Sequence, residues 1–325
     1  MSNPTLGLVG LGKIARDQHL PAIAATGRFD LAGLVSPDGL PDGLANDAAL
    51  AGVPCFRSQA AMLAALPRLD AVAICTPPDV RHGLTVEALR AGKHALIEKP
   101  PAATVSELHD LAAEATAAGR TLFTAWHSQF NPAVDAARER LAGRGIRRLT
   151  VDWKEDVRRW HPGQDWIFAA GGFGVFDPGI NALSILTRIL PVPVFVRAAE
   201  LLVPENRDTP IAATLDLKLG QEAPGIPSPD RAVATFDFRQ EGEQTWAIAV
   251  ETADGTRLDL TRGGARLAVD GVVAVDEPDT EYRRIYDHFR RLVDDGVSDV
   301  DAAPLHLVAD ACAIGRHRTV AAFDW

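Results

Sequence analysis

A chain of 325 residues, 47% hydrophobic and 23% charged, has room for two globular domains with ordinary cores. Its net charge of −10 argues against the basic face of a nucleic-acid protein, yet a phosphate-bearing cofactor can still be held locally by backbone N–H groups. Cys55, Cys75 and Cys312 are scattered and the histidines form no HxH or HExxH, so neither disulfides nor a metal is expected.

Met1 to Pro4 leads into a strand without a basic region or cleavage site, and no apolar run approaches a membrane span. A cytoplasmic protein with no nucleic-acid or membrane partner is expected. Thr5 to Val9 reads as an apolar strand, followed by Gly10-Leu11-Gly12-Lys13-Ile14-Ala15, a GxGxxA turn. It opens a helix whose stripe is Ile14, His19, Leu20 and Ile23. Strand, glycine turn and helix are the context of a dinucleotide fingerprint. Gly10 permits the turn, Gly12 lets the backbone approach a pyrophosphate, and Ala15 allows the helix onto the sheet.

A second strand, Asp30 to Val35, ends at Ser36-Pro37-Asp38. Ser36 stands where an NAD site commonly carries a carboxylate, which leaves room for a 2′-phosphate. No arginine follows it, however, and Asp38 would repel a phosphate. NADP or NAD is expected, with a lean to NADP and dual use open. The loop Pro37 to Asn46 belongs at the adenosine end.

A helix over Ser58 to Leu66 leads to the strand Asp70 to Cys75 and the turn Thr76-Pro77-Pro78, which feeds a helix over Val80 to Ala91. The next strand, His94 to Ile97, is apolar enough for the middle of a parallel sheet. It ends in Glu98-Lys99-Pro100-Pro101, at the strand end where such sheets bind ligands. Lys99 is either a chemical group aimed by Pro100 or half of a surface ion pair; the residues alone allow both. A helix over Thr104 to Ala118 and a strand over Thr121 to Ala125 complete a βαβα alternation.

Beyond Ala125, a helix spans Ala133 to Leu141 and Arg147 to Glu155 alternates as a strand. Trp153, Trp160 and Trp166 crowd a turn-rich run with Glu155, Asp156, Arg158, Arg159, His161 and Asp165. Aromatic rings among acids and amides suit a sugar, although a core with a polar rim has the same composition. Gly171 to Asn181 is the second chemical stretch. Asp177-Pro178 matches an N-cap followed by proline, and Asp177 and Asn181 share a helix face. Short alternating segments from Val194 to Val275, Trp246 included, read as one antiparallel sheet. Two helices, Glu281 to Val293 and Pro304 to about Val320, close the chain.

The expected fold class is α/β. A Rossmann-type doubly wound parallel sheet spans residues 1–125, and an α+β substrate-binding domain with a large, mainly antiparallel open sheet spans 126–325. The closing helices are free to pack back toward the first domain.

In combination, the GxGxxA turn, Thr76-Pro77-Pro78, Glu98-Lys99-Pro100 and the Gly-rich segment before a helix resemble the Gfo/Idh/MocA oxidoreductases over essentially the whole chain. Within that family, the runs Gly10 to Pro21, Trp153 to Gln164 and Phe176 to Leu183 are similar to bacterial aldose 1-dehydrogenases acting on L-arabinose or D-galactose. The resemblance implies oxidation of an aldopyranose C1–OH to the aldonolactone, with hydride transfer to NAD(P)+. It implies Gly10, Gly12, Lys13, Ile14, Ser36, Cys75, Thr76, Pro77, His82, Glu98 and Lys99 as cofactor residues. For the sugar it implies Lys99, His127, Glu155, Trp160, His161, Asp177, Asn181 and Trp246, with Lys99, Asp177 and Asn181 catalytic. Many family members carry histidine where this chain has Asn181, which leaves the proton to Asp177 or Lys99. The partner implied is a small aldose, and the second-domain sheet leaves a homo-oligomer open. Rival readings are another sugar oxidoreductase of the family, a glycosidase or dehydratase that retains NAD, and an NADP-sensing regulator without turnover.

Overall fold

The first strand, β1 (Thr5–Val9), is buried from Leu6 onward and lies inside a six-stranded sheet. In chain order follow α1 (Leu20–Thr26), β2 (Asp30–Val35), β3 (Cys55–Phe56), α2 (Gln59–Ala65), β4 (Ala71–Ile74), α3 (Pro78–Arg90), β5 (His94–Glu98), α4 (Val105–Ala118) and β6 (Leu122–Ala125). The strand order is β3-β2-β1-β4-β5-β6 and every pairing is parallel. This is the expected Rossmann order, whose reversal between β1 and β4 opens a ligand crevice beyond the carboxyl ends. Val72, Ile74, Ala95 and Ile97 are all fully buried, because water is excluded from both faces of such strands. Helix ends follow local chemistry. The Ser58 hydroxyl caps α2, Thr104 and Glu107 form a capping box on α4, and Gly119 ends α4 in the left-handed region.

The computed structural model describes residues 3–44, 47–220 and 231–325. The helix after the glycine turn begins as a π-turn, Ala15–His19, before α1. The adenosine-end loop contains a 3₁₀ turn at Asp42–Leu44, and its residues 45 and 46 lie outside the described residues.

The chain continues through α5 (Pro132–Leu141), β7 (Ile146–Lys154), α6 (Val157–Trp160), α7 (Phe176–Ile189), β8 (Val194–Pro204), β9 (Ala212–Leu219), β10 (Arg231–Asp237) and β11 (Thr245–Thr252). It ends with β12 (Arg257–Thr261), β13 (Arg266–Val269), β14 (Val272–Asp276), α8 (Glu281–Asp295), α9 (Ala303–Ile314) and β15 (Arg316–Val320). Two compact units result: residues 1–127 with 282–302, and residues 128–281 with 303–325. In the first, α8 buries Tyr282, Ile285, Tyr286, Phe289 and Leu292 at helical spacing, and Phe289 stacks on Phe29 with ring centroids 5.2 Å apart.

The second unit holds one nine-stranded sheet, ordered β14-β13-β12-β11-β7-β10-β9-β8-β15. It is mainly antiparallel, as expected, but mixed rather than wholly so: β7 with β10 and β8 with β15 are parallel. The final segment departs further. The closing helix stops at Ile314, and Arg316–Val320 pairs beside β8 as a strand. β8 offers a row of open backbone groups there, and the β-branched Thr319 and Val320 suit pairing with it. Behind this sheet α7 buries Ile180, Leu183, Leu186 and Ile189, and Phe176 meets Phe236 edge-on at 5.9 Å. Among the described residues no helix is long and apolar enough to cross a membrane, and no group of three or more side chains could hold a metal.

Candidate active site

In the first unit the glycine turn sits where β1 ends. Gly10 donates to Val35 O at 2.9 Å with φ of 90°, a conformation that strains any residue with a Cβ. Gly12 is exposed, and a Cβ built there meets nothing within 4 Å. Lys13 pairs with Asp17, and Ile14 is half-buried. At the end of β2, Ser36 is buried and donates its N–H to Phe56 O at 3.0 Å. The sequence places no arginine after Ser36, but the fold supplies one. Arg57, just past β3, donates from Nη1 to Pro37 O at 2.8 Å, and its guanidinium lies 3.1 Å from where a Cβ on Gly39 would be.

The β4 and β5 turns are tied together from below. Cys75 is buried, Thr76 half-buried and Pro77 exposed. Arg81, in the first turns of α3 and only 3% exposed, donates to Glu98 O at 2.7 Å and also to Pro100 O and Thr76 O. Its neighbour His82 is engaged elsewhere, with Nε2 2.8 Å from Asp110 on α4.

Glu98 is 2% exposed, and its carboxylate is turned inward. Oε1 accepts from His19 Nε2 at 2.9 Å and from the Tyr282 hydroxyl at 2.7 Å, while Oε2 accepts the Lys99 N–H at 3.0 Å. His19 Nδ1 lies 2.8 Å from the Tyr286 hydroxyl. Burial opposes a charge on Glu98, yet the hydrogen bond and charge of His19, with His127 and Tyr282, hold its carboxyl down to about 2. Burial likewise opposes a proton on His19, but Cys75, Tyr286 and Glu98 around it raise its pKa well above the ordinary histidine value. The two shifts agree: this is a buried ion pair. Lys99 is half-buried at the head of the turn, and His127 stacks on Tyr282 with centroids 5.7 Å apart.

The second unit assembles its own set. Glu155, buried just past β7, accepts from Trp246 Nε1 on β11 at 2.9 Å. Trp246 is the cross-strand partner of Trp153 and lies 5.5 Å from the Trp160 ring, whose N–H donates to Gln244 Oε1 at 3.3 Å. One residue after α6, His161 presents Nε2 3.4 Å from Asp177 Oδ2, with Nδ1 3.3 Å from Gln164 Oε1. Asp177 is not the N-cap that the sequence suggests. Gly174 turns the chain early, with φ of 50° and so close under Pro210 that a Cβ would stand 2.4 Å from its carbonyl oxygen. The helix therefore starts at Phe176, with Val175 in the N-cap position and no side-chain cap, and Asp177 falls inside its first turn. Its carboxyl, 4% exposed, faces His161, and Asn181 follows one turn later, half-buried.

The family model described as an oxidoreductase family with an NAD-binding Rossmann fold (GFO_IDH_MocA) matches residues 5–126. A galactose 1-dehydrogenase from Pseudomonas fluorescens is 45% identical over 320 residues, covering 98% of both chains. The crystal structure of a D-galactose-1-dehydrogenase protein from Rhizobium etli is 49% identical and superposes with a TM-score of 0.90, covering 100% of this chain and 99% of that one. The chain belongs to the Gfo/Idh/MocA oxidoreductase family. A 3-ketoreductase of Actinomadura kijaniata, solved with NADP, is 20% identical with a TM-score of 0.80 over 98% of this chain and 100% of its own, and it shares the fold.

The family model is described as NAD-binding, and the geometry at the first unit's glycine turn and β2 end is compatible with a dinucleotide. Gly12 leaves open space above the turn where a pyrophosphate approaches, and Ser36 with Arg57 closes the β2 end. Sequence reasoning missed Arg57, Arg81, His19, Tyr282 and Gln244. Only His19 carried a local signal, a titratable ring on the apolar stripe of a helix. The others act across strands and turns that only the fold brings together.

Proposed function

We propose that this protein is an NAD(P)-dependent aldose 1-dehydrogenase that oxidises the C1–OH of D-galactose, L-arabinose or both to the aldonolactone. Full-length similarity to galactose 1-dehydrogenases supports the reaction. The observation that carries the chemistry is the buried Asp177 carboxyl held against His161 at the start of α7.

Oxidising an alcohol requires a base for the hydroxyl proton and an acceptor for the hydride, and a bound nicotinamide supplies the acceptor. Asp177 takes the proton from O1, and the Asn181 amide donates to the same oxygen to orient it. Lys99, from the first unit, is the group proposed to stabilise the negative charge that develops during the oxidation. Glu155, His161 and His127 bind the remaining hydroxyls, while Trp160 and Trp246 pack on the C–H face of the ring. D-Galactopyranose and L-arabinopyranose share ring stereochemistry at most positions, so one such site serves both.

For the cofactor, Arg57, which reaches from beyond β3 to the turn after Ser36, supports NADP, since a guanidinium there would pair with a 2′-phosphate. The exposed Asp38 weakens that bias, so we propose dual use with NADP favoured. The test is the rise in reduced-nicotinamide absorbance with D-galactose, L-arabinose, D-xylose and D-glucose, each with NAD+ and NADP+. Strong signals for the first two sugars are expected. A flat grid alongside demonstrated cofactor binding would overturn the reading.

A further inference from the structure

We propose that Arg81 and Glu98 are positioning residues whose buried charges fix the backbone at Lys99, so that its ammonium is aimed before any ligand arrives. The proposal rests on the reading above that Lys99 acts in turnover.

A buried charge persists only where its partners offset the cost of removing it from water. The partners here are backbone groups of two turns. Arg81 donates to Thr76 O, Glu98 O and Pro100 O, and Glu98 Oε2 accepts the Lys99 N–H. Glu98 is the last residue of β5 in register, opposite Ala125 on β6, and Lys99 and Pro100 follow beyond the paired residues, where side chains take over from the ladder. The Lys99 amide and the carbonyls on both sides of that residue are therefore held by side chains that are themselves 2–3% exposed. A planar guanidinium spans three carbonyls at once, which a lysine ammonium on the same stem does not match. Glu98 is in turn held by His19 and Tyr282, and His127 stacks on Tyr282. Two residues expected around the sugar, Lys99 and His127, thus share one buried anchor. The carboxylate's hydrogen bonds to His19, Tyr282 and the Lys99 N–H give Glu98 a positioning role distinct from the cofactor contact that the sequence resemblance implies, and the experiment separates the two.

The experiment compares the full-length protein with its Glu98→Gln and Arg81→Lys variants in three readouts: NADP+ affinity by tryptophan fluorescence, steady-state kinetics with D-galactose, and hydrogen exchange of the Lys99 amide in the ligand-free protein by NMR. Because a displacement of about 1 Å costs on the order of 100-fold, kcat should fall roughly 10- to 100-fold in each variant. The cofactor Kd should stay within about twofold, and Lys99 amide exchange should accelerate about tenfold or more as its acceptor or its flanking anchors weaken. Added guanidinium should restore part of the kcat lost in Arg81→Ala, which a general loss of folding would not allow. A cofactor Kd raised tenfold with kcat retained would make Glu98 a cofactor ligand and overturn the proposal, as would kcat within twofold of wild type in both variants. Should the wild type turn over none of the sugars, the earlier reading fails on its own. Hydrogen exchange then decides this one, with unchanged Lys99 exchange in both variants contradicting it.

Discussion

His161 Nε2 stands 3.4 Å from Asp177 Oδ2, and the proposed reaction places its base at this pair. The carboxyl is buried at 4% exposure on the first turn of a helix packed on nearly every side, so its position is set by the fold rather than by solvent. A base held in this way contributes about 10²–10⁴-fold to rate. Asp177→Asn should lower kcat by that amount while leaving cofactor affinity within about twofold. His161→Gln, which removes the facing imidazole, should cost about 10- to 100-fold in kcat/KM, the worth of a hydrogen bond to a charged group. Steady-state kinetics with a parallel fluorescence titration checks both, and an Asp177→Asn enzyme within a few-fold of wild type would remove Asp177 as the base.

The indole N–H of Trp246, 2.9 Å from Glu155 Oε2, holds that acid in one orientation. Trp246→Phe keeps an aromatic side chain, smaller than indole, but deletes the donor, leaving a buried oxygen short of one partner. The sugar KM should rise about tenfold, with cofactor KM unchanged. An unchanged sugar KM would show that Glu155 needs no such support.

Arg57 is expected to set cofactor choice. Arg57→Ala should raise the KM for NADP+ about 10- to 100-fold and leave that for NAD+ nearly constant, since only the 2′-phosphate loses a charge-assisted partner. Equal changes for both cofactors would place Arg57 in a purely structural role at the Ser36–Gly39 turn.

The His19–Glu98 pair gives stability a defined pH window. Glu98 titrates at about 2 in the folded chain against an ordinary 4.5, so its contribution is present above pH 4.5 and is lost as pH falls toward 2. His19 is raised above 6.5, so its contribution is full below 6.5 and declines as pH rises through its folded value. The Tm deficit of Glu98→Gln relative to wild type should therefore be largest between about pH 4.5 and 6.5 and shrink toward pH 3. A deficit flat from pH 3 to 9 would contradict a buried ion pair.

Much of the fold was legible from local pattern. GxGxxA after an apolar strand, and strands such as Ala71–Ile74 without polar alternation, identify a covered parallel sheet because covering both faces leaves no site for a polar side chain. The closing strand was not legible. Arg316–Val320 follows a helix directly and becomes a strand because β8 offers it an edge, a long-range fact absent from the local sequence. Asp177 and His161 were visible as chemical residues, but their facing geometry depends on Gly174 starting the helix early beneath Pro210. Arg57 and Arg81 carry no local signal; β3 and α3 bring them to the turns after β2 and β5.

In the proposed reaction the hydride leaves from C1 of the sugar. Incubation with D-galactose carrying deuterium at C1 and with oxidised cofactor, followed by mass measurement of the reduced nicotinamide, tests it most directly. Reduced cofactor heavier by one mass unit is expected, since the C1 hydrogen is the one transferred. Unlabelled reduced cofactor would mean that another carbon is oxidised, and C1 oxidation would be ruled out.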